Sequence, residues 1–72
     1  MERNEIDKFI NKYVEVTLFN KKDFSYGKEY GRLYKHFDIL LNCMTYVIET
    51  PKYHLVCIPD NIKDIKELNN EI

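Results

Sequence analysis

The sequence predicts a small, mainly β domain: one N-terminal helix followed by five short strands, bent into an antiparallel barrel. Three observations predict it. Apolar residues recur at helical spacing near the start, at Ile6, Phe9, Ile10 and Tyr13. From Tyr13 onward they alternate with period two, in runs broken by Asn, Asp, Gly and Pro. The chain has 72 residues, enough for one domain (1–72) with one core. A flat sheet of five strands would expose two edges, and closure into a barrel removes them.

The helix is expected at about 4–12. Asn4 can cap it, and Asp7, three residues on, approximates a capping box. It is too short to stand alone, so it must lie across something apolar. The first strand, about 13–20, places Val14, Val16 and Leu18 on one face and Tyr13, Glu15 and Thr17 on the other. Asn20-Lys21-Lys22-Asp23 is turn-like, and Phe24–Gly27 continues the connection.

The second strand, about 28–37, carries Tyr30, Leu33, Tyr34 and Phe37, with Gly31 marking a bulge or bend. The third, about 39–50, is the most apolar. Leu40, Met44, Tyr46 and Ile48 share one face; Ile39, Leu41, Cys43 and Val47 share the other, so both faces are expected to be covered. Pro51 ends it. The fourth strand spans about 53–58, and Pro59-Asp60-Asn61 is a tight turn. Ile62, Ile65 and Leu68 have the spacing of a helical turn, but a closing strand at about 62–66 suits the topology better. Residues 69–72 are expected to fray.

Composition narrows the function classes. Eleven basic and twelve acidic side chains give a net charge of −1, without the basic excess typical of general nucleic-acid binders. The local group Lys21, Lys22, Lys28, Arg32 and Lys35 reads as solvated faces. No apolar run reaches the ~18–20 residues of a membrane span. The charged opening Met1–Glu5 is unlike a signal peptide, so a cytoplasmic protein with reduced Cys43 and Cys57 is expected. His54 and Cys57, three apart in a strand, point to opposite faces, and with His36 and Cys43 they form no ligand spacing; no metal or cofactor is expected. Ser25 is the one serine and has no nucleophile-elbow glycines, and no glycine loop cradles phosphate, so no enzyme is expected. Six Tyr and four Phe suit a core or subunit interface better than a base-stacking surface. The lack of Ala, Gln and Trp beside abundant Ile, Lys and Asn suggests AT-rich coding, as in low-GC bacteria or their phages.

One run carries a family resemblance. Gly31-Arg32-Leu33-Tyr34-Lys35-His36-Phe37-Asp38-Ile39-Leu40-Leu41-Asn42 ends in an Asp followed four residues later by Asn. Together with the helix-then-five-strands order and Tyr13–Asn20 as first strand and turn, this resembles the Sm-like family (Sm, LSm and Hfq proteins), a group of SH3-like barrels. The resemblance implies a ring in which strand four of one subunit pairs with strand five of the next. Here Tyr53, Leu55, Val56, Cys57, Ile62 and Ile65 would carry that interface. It also implies single-stranded RNA as ligand, with Asn42 reading a uracil edge, Leu40 at the stacking position, Asp38 shaping the loop, and Arg32 and Lys35 meeting the backbone. The second motif diverges: the family's basic residue is replaced by Pro59-Asp60 within Ile58–Ile62. The expected function is therefore a non-enzymatic, self-assembling Sm-like module that binds single-stranded RNA. The alternative is a protein-interaction or inhibitor module, phage- or mobile-element-encoded, without RNA. A third option is a binder of small nucleotides between subunits through Asn42 and nearby tyrosines.

Overall fold

The computed structural model describes residues 1–69; of the tail expected at 69–72, residues 70–72 lie outside them. The elements are a one-turn helix α1 (Arg3–Ile6), a 3-10 turn (Asp7–Phe9), and strands β1 (Tyr13–Asn20), β2 (Ser25–Asp38), β3 (Cys43–Glu49), β4 (His54–Cys57) and β5 (Ile62–Glu67). A second 3-10 turn, Pro59–Asn61, precedes β5. The mainly β architecture and its element order are those the sequence predicts. The strands form one antiparallel sheet in the order β4-β3-β2-β1-β5. The sheet bends strongly but does not close, because β4 and β5 do not pair and remain its two edges.

The helix is shorter than the periodicity suggests. Asn4 does not cap it; Glu2 stands at the cap position, and its carbonyl accepts the amides of Glu5 and Ile6. Asp7 does not complete a capping box either, since its carboxylate is engaged by Tyr46 and Lys35. Asn11, at φ 67°, turns the chain into β1. Ile6 is fully buried on the sheet, with Phe9 and Ile10 half-buried beside it. The Met1 ammonium donates to the carbonyls of Pro59 and Ile62, tying the start of the chain to the β4–β5 connection.

The core lies on the concave face. Val14 and Val16 of β1, Leu33 of β2, Tyr46 and Ile48 of β3, and Ile62 and Ile65 of β5 are buried there with Cys57. Ile62 and Ile65, three apart, share this face because the register slips by one residue between Thr17 and Leu18. Val16 pairs with Ile65, and Leu18 with Ile62. This bulge explains why a strand carries helix-like spacing.

β2 begins at Ser25, three residues before the expected start, because Ser25 and Tyr26 pair with Asn20 and Phe19. The turn before it is fixed by the Asn20 and Asp23 side chains, which accept the Lys22 and Ser25 amides. β2 pairs with β1 up to Arg32 and with β3 from Arg32 onward. At this change of partners the backbones crowd: a Cβ on Gly31 would run into the Glu49 carbonyl. The expected bend at Gly31 is thus a close backbone approach, and the bulge lies between β1 and β5 instead. Gly27, also in β2, has open space where its Cβ would be, and its φ is not positive. Gly31→Ala should cost about 2–3 kcal/mol in urea denaturation, as overpacking does. Gly27→Ala should be neutral or stabilise by about 0.5 kcal/mol.

Candidate functional site

The β2–β3 connection holds the residues that the sequence singles out. Asp38 Oδ1 accepts the Leu40 amide at 2.9 Å and the Leu41 amide at 3.1 Å. Asn42 adopts φ 54°, a left-handed conformation that Asn tolerates better than most residues. The Asp-to-Asn spacing is thereby accounted for by the turn itself. This corrects the expected start of the third strand: residues 39–42 form a loop, since the Asp38 carboxylate takes amides that a ladder would use. Both faces of 39–42 are therefore open, not covered. Ile39, Leu40 and Leu41 are 84%, 96% and 57% exposed, flanked by exposed Phe37 and Met44. Asn42 is exposed as well.

Arg32 and Lys35 do not converge on this loop. Three apart on β2, they project from opposite faces. The Arg32 guanidinium donates to the Asn11 carbonyl at 2.9 Å, on the convex side. Lys35 pairs with Asp7 at 2.9 Å, and its ammonium lies 5.9 Å from the Tyr46 ring centroid. Arg3 sits 5.7 Å from the same ring and donates to the Met44 carbonyl. The Tyr46 hydroxyl donates to Asp7 Oδ1 at 2.7 Å. Burial first, then Asp7, pushes the Tyr46 hydroxyl up, so it stays a donor. The Tyr46 bond first, then Lys35, holds the Asp7 carboxyl below the ordinary carboxylate range. Pro59 and Asp60 stand in the second 3-10 turn, Asp60 exposed.

The sheet edges are the second candidate feature. The Thr50 amide donates to the Tyr53 carbonyl at 2.9 Å. By the alternation of an antiparallel ladder, the amides of His54 and Val56 then point away from β3, to the free edge. The Leu68 amide donates to the Tyr13 carbonyl at 2.8 Å, which likewise turns the Ile65 and Glu67 amides outward on β5. Among the six expected interface residues, Tyr53 and Val56 are exposed and Leu55 is half-buried. Cys57, Ile62 and Ile65 are core residues, so only their backbone is available at an edge.

Two concavities lie on the surface of the described residues. One, about 480 Å³, lies between the β1–β2 hairpin and β4 and reaches Glu29 and Asn61. The other, about 460 Å³, is walled by Tyr13, Tyr30, Pro51 and Tyr53. Glu29 borders both and accepts the Tyr53 hydroxyl at 2.7 Å, which pushes that hydroxyl up. The sequence did not single out Glu29 or Asn61: Gly27 reads as part of the connection before the second strand, and Asn61 as a turn residue. His54 is exposed and Cys57 buried, on opposite faces as their spacing requires. Among the described residues, no group of three His, Cys, Asp or Glu side chains could hold a metal ion. No helix there is long and apolar enough to cross a membrane. Comparison of the chain with protein-family models, with curated proteins and with solved structures finds no match.

The Asp7 geometry has a pH consequence. A carboxyl held low in the fold contributes stability that is present above its unfolded pKa and is lost as pH falls through the folded one, here below about pH 4. Tyr46→Phe should cost about 1 kcal/mol at neutral pH, measured by denaturant melts. It should also flatten the part of the acid-induced loss that Asp7 causes.

Proposed function

We propose that this chain is a non-enzymatic binding module that assembles with copies of itself, β4 of one chain adding to β5 of the next. Support comes from the two unpaired edges of one bent sheet, each with amides directed outward. A sheet edge is a template for another strand. β4 presents Val56 and Tyr53 beside its free amides, and β5 presents Lys63, Asp64, Lys66 and Glu67. The two edges differ in character, β4 apolar and aromatic and β5 charged. Head-to-tail addition of β4 to β5 joins these unlike edges, and a rotation that closes makes the assembly a ring. Within such an assembly, the hairpin tips bearing Leu40 and Asn42 are repeated around one axis. Single-stranded RNA is the ligand that the Sm-like resemblance implies for them. A cytoplasmic location belongs to this reading, and Cys43 and Cys57 are both free thiols.

Recognition of a partner protein is the alternative, favoured by the bare Ile39-Leu40-Leu41 tip. The two differ in what the tip binds: uridine-rich RNA at low salt, lost in Asn42→Ala, or a protein bound in stoichiometric ratio and lost in Leu40→Ser.

Val56→Pro tests the assembly. Proline there removes an outward amide and leaves the β3 ladder intact, so the fold survives. Native mass spectrometry should show a closed oligomer for the unmodified chain and a monomer for Val56→Pro. An unchanged mass in a variant that keeps its circular dichroism would overturn the edge pairing.

A further inference from the structure

The cleft between the β1–β2 hairpin and β4 has three features that folding does not require. Gly27 lines it, although neither a left-handed φ nor crowding asks for glycine there; a side chain would project into open space. Glycine in a strand interior weakens the strand, and one use for it is to let a ligand approach the backbone. Asn61 also lines the cleft, and its Oδ1 is shielded from solvent without a hydrogen bond. A buried unpaired acceptor costs stability that a ligand donor would restore. Third, Lys21 and Lys22 stand at the mouth, and neither makes a salt bridge among the described residues.

The chemistry is graded along the cleft. On the concave face, Ser25 pairs opposite Asn20, Gly27 opposite Leu18, and Glu29 opposite Val16. Lys21 and Lys22 follow Asn20 at the hairpin tip, so the ammoniums lie at one end and the Glu29 carboxylate at the other. At ~3.3 Å per residue, Ser25 and Glu29 are about 13 Å apart along β2. Leu18, Leu55 and Cys57 give apolar walls between the ends, and burial keeps the Cys57 thiol neutral. The Glu29 end offers a carboxylate acceptor and the hairpin end offers cations, with Asn61, which precedes the Ile62 paired with Leu18, between them. A cavity of about 480 Å³ is of small-ligand size.

We propose that this cleft binds a guanine mononucleotide, with the base at Glu29, the sugar beside Gly27 and Asn61, and the phosphate at Lys21 and Lys22. A ligand there must carry hydrogen-bond donors at one end, a flat apolar body, and an anion at the other. Guanine has adjacent N1–H and N2–H donors that match a carboxylate two-pronged. The Tyr53 hydroxyl takes one lone pair of Glu29 Oε2 and holds the carboxylate in place. The lining residues all belong to one chain, with Leu55, Val56 and Cys57 of β4 forming one wall.

The test is an NMR titration of the full chain at low salt with GMP, AMP, guanosine and inorganic phosphate. GMP should saturate, moving the amides of Gly27, Glu29 and Asn61, and bind about tenfold or more tighter than AMP, guanosine or phosphate alone. Gly27→Val should abolish binding in a chain whose spectrum remains folded. The surface pair Lys21→Ser and Lys22→Ser, which does not touch the core, should weaken GMP about tenfold and leave guanosine unchanged. No saturable GMP binding, AMP binding as tightly as GMP, or GMP binding that survives Gly27→Val or ignores the lysine pair would overturn the proposal.

Discussion

The architecture depends on one steric condition: β2 must change partners without a break. Its 14 residues pair with β1 up to Arg32 and with β3 beyond it. Where the two halves meet, the β2 backbone comes so close to the Glu49 carbonyl that only glycine fits at position 31. On either side of this crossing the sheet encloses a core of Val, Ile, Leu and Tyr side chains, with β4 and β5 at its two edges.

What the edges lack, the N-terminus partly supplies. Met1 holds the β4–β5 connection through two carbonyls, and Ile6 closes the core from the side that the strands leave open. The Tyr46 hydroxyl, Asp7 and Lys35 form a polar pin between the 3-10 turn and the sheet. Each of these contacts joins residues far apart in sequence. A helix of one turn has little stability of its own, so it is held by these contacts and by burial.

The strand order of elements was legible because alternation and turn residues are local signals. Val14 and Val16, or Tyr46 and Ile48, announce their shared face without knowing their partners. Boundaries were less legible. Phe24–Gly27 shows no alternation, and only pairing with Phe19 and Asn20 makes Ser25 and Tyr26 a strand. Residues 39–42 read as strand because they are apolar, but the Asp38 carboxylate turns them into a loop. The helix-like spacing of Ile62 and Ile65 is produced by a bulge in a different register. Of the candidate site, the sequence showed Asp38, Leu40 and Asn42 together; Arg32 and Lys35, three apart in one strand, point to opposite faces by spacing alone, but their partners Asn11 and Asp7 emerge only in the fold. Glu29 and Asn61 were invisible, since one lies in a strand, the other in a turn, and the space between them exists only after the sheet bends.

The central claim is that the outward amides of β4 and β5 are completed by a second copy of the chain. Amide hydrogen exchange at rising protein concentration measures this directly. The account predicts that the His54, Val56, Ile65 and Glu67 amides exchange fast when dilute and gain protection together as concentration rises, while core amides in β1 and β3 do not change. Edge amides that exchange at the same fast rate at every concentration would contradict it.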